Sequence, residues 1–228
     1  MSIEINNISK NFNENKALNK ISFKAFPGDI VGVLGPNGAG KSTMMKIITG
    51  YYKQDEGDVF VCKKNTLENE IYTKKKIGYL SEENPLYLDM YVLEFLEFVC
   101  DIHKIEHINC KKMMNLTELN KVKNKKIKTL SKGFQQRVGI AQALIHNPEV
   151  IILDEPTSGL DPKQLIEIRE IIKNIGKEKT ILLSTHIIQE VEAMCNKVIM
   201  LNEGKIIINK KINDFDNKIE NVFLELIK

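Results

Sequence analysis

Long hydrophobic runs are missing from this chain. No window of its 228 residues approaches the roughly 18 apolar residues that cross a bilayer as a helix, so any membrane role is expected to run through a partner. The first ten residues, MSIEINNISK, lack a basic segment followed by an apolar stretch, and no signal peptide is expected. The cysteines Cys62, Cys100, Cys110 and Cys195 include no CxxC pair and no zinc-ligand spacing. Reduced cytosolic thiols are the expectation. Internal repeats, low-complexity linkers and heptad runs are absent too. Charge of one sign is also scarce: 33 basic against 30 acidic residues leave a net charge of +3, and no strong pull toward nucleic acid follows. The lysines of residues 121–128 (KVKNKKIK) read as a solvated face, because Asn, Lys and Ile are abundant throughout and share AT-rich codons.

What is present suits one α/β domain. The hydrophobic fraction of 43% can build a sizeable core without disulfides. Residues 21–26 alternate as a half-buried strand, and Pro27-Gly28-Asp29 turns the chain. The continuous apolar runs 30–34 (IVGVL) and 150–153 (VIIL) predict central strands covered on both faces. Residues 77–80, 180–184 and 198–201 predict further strands, and 205–208 another after the Glu203-Gly204 turn. Residues 41–49 predict a helix with Gly50 as its cap. Another is expected over 134–146, ending near Asn147-Pro148. Asp161 caps a further helix, with Pro162 first and Gly176 beyond its end; Leu165, Ile168, Ile172 and Ile175 form its stripe. Val92, Phe95, Leu96, Val99 and Ile102 recur at helical spacing, and helix is expected to continue to about Leu119. This period switch predicts a helical lobe inserted into a largely parallel sheet.

Two segments carry chemistry. Residues 35–42 (GPNGAGKS) match GxxxxGK[ST], with a strand before and a helix after. Glycines let backbone wrap phosphate oxygens, and the following helix N-terminus favours negative charge. Lys41 is expected to reach β- and γ-phosphates, and Ser42 to offer an oxygen to Mg²⁺. Residues 150–155 (VIILDE) place two carboxylates at the end of an apolar strand, where ligands of such sheets bind. Asp154 is expected to hold Mg²⁺, and Glu155 to face an attacking water as base or orienter. Away from the loop, the same pair would read as an ordinary acidic surface.

With these segments, LSKGF (130–134), SGLD (158–161) and Thr185-His186 stand in the order and spacing of the ABC transporter ATP-binding family, which the chain resembles over nearly its whole length. Residues 77–92 (IGYLSEENPLYLDMYV) are similar to its gliding-motility-associated branch. The resemblance implies a P-loop NTPase core with a mainly parallel sheet and an antiparallel β subdomain. A helical lobe at about 85–146 would be inserted within one domain spanning 1–228. It assigns ATP contacts to Gly35, Pro36, Asn37, Gly38, Ala39, Gly40, Lys41, Ser42 and Thr43, and stacking on adenine to Phe12. Mg²⁺ would go to Ser42, Asp154 and Glu82, the last standing where the family has glutamine. His186 would support Glu155 and contact the γ-phosphate. LSKGF departs from LSGGQ: Ser131 and Gly133 remain, for the γ-phosphate held by the opposite subunit, while Lys132 and Phe134 replace Gly and Gln. Asp161 would cap its helix and cross between subunits. Residues 220–226 (ENVFLEL) resemble a terminal motif that usually lies farther beyond the core, which implies a trimmed regulatory tail.

The function implied is an ATPase working as a head-to-tail homodimer with a separate integral-membrane permease, at the cytoplasmic face of the membrane, in export. No nucleic-acid partner is expected. A competing class is a soluble ABC ATPase that remodels a protein or nucleic-acid assembly. Single motifs and the absence of a heptad run favour the transporter. A nucleotide sensor with weak turnover is a third reading, against which Glu155 and His186 count.

Overall fold

The computed structural model describes residues 1–215 and residue 219. The motif at 220–226 lies outside the described residues. The chain opens with β1 (Ile3–Phe12) and β2 (Asn15–Ala25), an antiparallel hairpin. Sequence alternation did not reveal β1. Its inward residues are Ile3, Ile5 and Ile8, and a register shift between Ile5 and Ile8 breaks the period of two. A similar interruption separates buried Leu18 from Ile21 in β2, so only its second half showed a pattern.

Then follow β3 (Ile30–Leu34), α1 (Lys41–Ile48), β4 (Glu56–Val61), β5 (Lys64–Asn65), α2 (Glu70–Lys76) and β6 (Ile77–Leu80). Helices α3 (Val92–His103), α4 (Ile108–Leu116) and α5 (Lys132–Leu144) lead to β7 (Val150–Asp154). The chain continues through α6 (Pro162–Gly176), β8 (Thr180–Thr185), α7 (Ile188–Met194), β9 (Lys197–Asn202) and β10 (Lys205–Lys211). Two sheets result, ordered β2-β1-β4-β5 and β10-β9-β3-β8-β7-β6. The first is antiparallel; the second is parallel except for β10. Strands β3 and β7 are buried at every residue, which is why their sequences run apolar without alternation.

Helix α1 lies between the sheets. Its Met44, Met45, Ile47 and Ile48 share one core with Ile3, Ile5 and Val59 on one side and Val31, Ile152 and Ile199 on the other. Each such side chain contributes about 1.5–3 kcal/mol by leaving water, and together they hold the loop before α1 rigid. Helices α3 and α4 build a separate core from Phe95, Leu96, Val99 and Met114. Helix α5 joins the two bodies: Val138 and Ala141 face that core, while Ile140 and Leu144 face the parallel sheet.

Some boundaries differ from the sequence reading. Helix α3 starts at Val92, where Glu94 Oε2 accepts from Tyr91 N at 3.0 Å. Helix α5 starts at Lys132 rather than Phe134, because Ser131 caps it and accepts from Phe134 N at 3.5 Å. Gly176 is the last residue of α6, not its cap. A Cβ there would stand 2.3 Å from Ile30 Cδ1, so this glycine serves close packing against β3.

Candidate nucleotide-binding and hydrolysis site

The 35–40 loop joins buried β3 to buried α1. Gly38 and Gly40 have φ of 81° and 103°, in the region that favours glycine. At Gly40 a Cβ would also meet Ala17 O at 2.6 Å. The loop is braced from outside: Gly204 N donates to Ala39 O (3.1 Å), and Asn19 N donates to Gly204 O (2.8 Å). Sequence reading saw residues 203–204 only as a turn. Lys41 Nζ donates to Gly35 O (2.7 Å) and Pro36 O (3.1 Å) and lies 3.9 Å from Glu155 Oε1. Burial lowers its pKa, against the charges of Glu155, Asp154 and Glu82.

A cleft of about 720 Å³ opens above the loop. Asn37, Gly38, Gly40, Lys41, Ser42 and Thr43 line it from the loop side; Phe12, Glu82 and Glu155 stand on its other walls. Gly35 and Ala39 are buried beneath, and Pro36 is half-buried. Phe12 is 40% exposed and meets Tyr52 edge-on at 5.4 Å between centroids. Tyr52 carried no signal in the sequence, because its role depends on the return of the chain after α1.

Asp154, 1% exposed, ends β7. Its Oδ1 accepts from Ser42 Oγ (3.1 Å) and Ser184 Oγ (2.6 Å). Ser184 Oγ in turn accepts from Glu155 N at 2.9 Å. Glu155 has a φ of 49° and leaves the strand sharply. His186 Nδ1 lies 3.1 Å from Glu155 Oε2 and 3.2 Å from Oε1. Burial raises the pKa of Glu155, opposed by His186 and Lys41. Ser42, Asp154 and Glu82 offer only oxygen, a donor set suited to a hard divalent cation. Among the described residues no three His, Cys, Asp or Glu side chains form a metal cluster.

Asp154 and His186 do not line the cleft but contact Ser42 and Glu155, which do; three further expected residues stand apart from it. Ser131 and Gly133 lie at the start of α5, and Asp161 caps α6, its Oδ1 accepting from Gln164 N at 2.9 Å. Gly133 packs on α6, since a Cβ there would meet the Gln164 carboxamide at 2.4 Å. Behind them is Arg137, which sequence reading passed over. It is 3% exposed, donates to Thr117 O (3.1 Å), and pairs with Glu118 (2.8 Å) and Glu167. Its guanidinium also lies 5.6 Å from the Phe134 ring centroid. No local signal marked it, because α5 (KGFQQRVGIAQAL) carries other polar residues on both sides of the arginine.

Comparison with known proteins agrees with this geometry. The ABC transporter family model matches residues 18–158. The uncharacterized ABC transporter ATP-binding protein MJ1023 of Methanocaldococcus jannaschii is 38% identical over 95% of this chain and 80% of its own length. The lantibiotic transport ATP-binding protein SrtF of Streptococcus pyogenes is 34% identical over 97% of this chain and 95% of its own. The dimeric structure of the bacterial ABC transporter cassette MJ0796 superposes with a TM-score of 0.84 at 29% identity, covering 93% of this chain and all of that one. The same cassette in a post-hydrolysis state bound to ADP and Pi superposes with a TM-score of 0.83 at 29% identity, over the same shares. The chain belongs to the ABC transporter family, as one of its ATP-binding and ATP-hydrolysing subunits.

Proposed function

We propose that two copies of this chain close head to tail around ATP and drive a separate integral-membrane permease from its cytoplasmic face, in the direction of export. The observation that carries the two-copy reading is the separation of Ser131 and Gly133 from the cleft that holds Lys41 and Glu155. A second copy related by a two-fold axis supplies them to that cleft. The dimeric MJ0796 cassette supports this arrangement, and the transport role named for SrtF supports the permease. Among the described residues no helix is long and apolar enough to cross a membrane. The likeness to the gliding-motility branch rests on residues 77–92 alone, and the relatives named above do not carry that description.

In this reading Phe12 stacks on the base, and the 35–43 segment wraps the phosphates with backbone N–H groups. Lys41 turns from Gly35 O and Pro36 O to the β- and γ-phosphates. Ser42, Asp154 and Glu82 hold Mg²⁺, which when bound offsets phosphate charge. Glu155 orients the attacking water or takes its proton, and His186 keeps that carboxylate aimed. Ser131 and Gly133 of the second copy meet the γ-phosphate, and Asp161 lies on the loop that crosses between copies.

The test is affinity purification from native membranes with ATPase activity followed through each step. The reading expects an integral-membrane protein in stoichiometric amount. Recovery with a soluble protein or nucleic-acid assembly instead overturns it.

A further inference from the structure

A buried carboxylate stands behind the catalytic pair. Glu190 lies on α7, past His186, and is 0% exposed. Its Oε2 accepts from Thr185 Oγ1 at 3.1 Å and also from Thr157 Oγ1. Thr185 immediately precedes His186, and its hydroxyl also accepts from Ile187 N at 3.1 Å. One hydroxyl therefore ties the backbone on both sides of His186. Thr157 lies just beyond Glu155, where Ser158 N donates to Glu155 O at 3.2 Å. A single side chain thus reaches both turns that present the pair.

Such a group is costly to bury. A carboxylate loses its hydration on burial, and here the two threonine hydroxyls compensate Oε2 alone, since Oε1 is buried without a hydrogen-bond partner among the described residues. Its neighbours on α7, Val191 and Met194, are apolar and buried. Packing alone is met by residues of that kind. Two hydroxyl donors from two separate loops are met only by an acceptor placed between them.

We propose that Glu190 is a positioning residue for hydrolysis: through Thr157 and Thr185 it holds the turns that aim Glu155 and His186 at each other. This rests on the reading of Glu155 and His186 as the hydrolytic pair. Glu190 lines no part of the nucleotide cleft, so it acts on turnover and not on ATP capture. A displacement of about 1 Å at a reacting group costs roughly 10²-fold in rate, and loosening either turn permits displacements of that size.

The experiment uses the full chain and measures kcat, KM for ATP and melting temperature for Glu190→Ala, Glu190→Gln, Thr185→Val, Thr157→Val and His186→Ala. Glu190→Ala is expected to lose about 10- to 100-fold in kcat with KM within about twofold. Glu190→Gln keeps an acceptor oxygen and should retain more activity. Each threonine variant removes one strut and should fall between Glu190→Ala and the wild type. Adding Glu190→Ala to His186→Ala should cost far less than Glu190→Ala alone costs in the wild type, because the two act through one geometry. Full multiplication of the two losses overturns the positioning role. So does a wild-type kcat in folded Glu190 and threonine variants while His186→Ala is slow. A wild-type kcat in His186→Ala removes the hydrolytic pair itself, and the proposal with it. Should Glu190→Ala fail to fold, the two threonine variants decide.

Discussion

His186 Nδ1 lies 3.1 Å from Oε2 of Glu155. The two residues sit beyond the ends of neighbouring parallel strands, β7 and β8, whose register pairs Asp154 with Ser184. That pairing explains the contact: the two segments leave their strands within one residue of the same level of the sheet. It also sets Asp154 against Ser42, through the next strand, β3, and the loop that follows it. Asp154 and Glu155 are adjacent in the chain, and the positive φ of Glu155 turns the second carboxylate away from the strand.

Glu155→Gln should bind ATP and lose about 10²- to 10⁴-fold in hydrolysis, the usual contribution of a positioned base. With turnover blocked, the closed dimer should accumulate in Mg-ATP. Light scattering after gel filtration checks this. A variant that stays monomeric where the wild type dimerises counts against the assignment.

The same substitution should change stability with a defined sign. Burial raises the Glu155 pKa above its ordinary value of 4.5, so the folded state binds its proton more tightly than the unfolded chain. The group then supports folding below that ordinary value and costs stability as pH rises through the folded value. Glu155→Gln is expected to melt at a higher temperature than wild type at pH 8, with the gap closing below pH 4.5. Equal melting temperatures at pH 8 would contradict the net cost. Hydrolysis by the wild type should fall on the acid side at higher pH than an ordinary glutamate would give.

Phe12→Ala should weaken ATP binding by roughly 1–3 kcal/mol, the scale of base stacking on an aromatic. GTP should suffer similarly, since stacking reads a ring face and not its edge. Calorimetry with both nucleotides decides. Unchanged affinity would leave Phe12 as a packing partner of Tyr52.

Arg137→Ala should destabilise the subunit by about 1–3 kcal/mol, because it leaves the buried Thr117 carbonyl without its donor. Its contacts to Glu118 and Glu167 join the turn after α4 to α6, so the loss should fall on the junction between helical lobe and core. Urea unfolding measures it. A change below about 1 kcal/mol would place this pair with ordinary surface bridges.

Ser131→Arg and Lys41→Ala should each inactivate the homodimer. Mixing them should restore one composite site in the heterodimer, with the intact 35–42 loop of one copy facing the intact LSKGF segment of the other. The recovered rate should be low, exceed either variant alone and depend on total protein concentration. No recovery where heterodimers are shown to form removes catalysis between copies, and activity of either variant alone removes the shared site.

The sequence by itself determined the phosphate loop, the carboxylate-ended strand and the capped start of α6. In each, neighbouring residues set the backbone: glycines at positive φ, an apolar run, or Asp161 bonding three positions on. It also determined where helical spacing replaces strand spacing, and so the presence of a helical lobe. It did not reveal β1, β4, β5, α2 or α7. β1 hides its alternation behind a register shift, β4 buries only Val59 and Val61 at its end, and β5, α2 and α7 are short. Tertiary structure alone decided that Tyr52 backs Phe12, that Gly204 braces Ala39, that Ser184 joins Asp154 to Glu155, and that Glu190 reaches the turns that carry Glu155 and His186. Most of these contacts join residues far apart in the chain. Their proximity follows from the strand order β10-β9-β3-β8-β7-β6 and the close packing of helices on it, and no local stretch of sequence encodes which strand lies beside which.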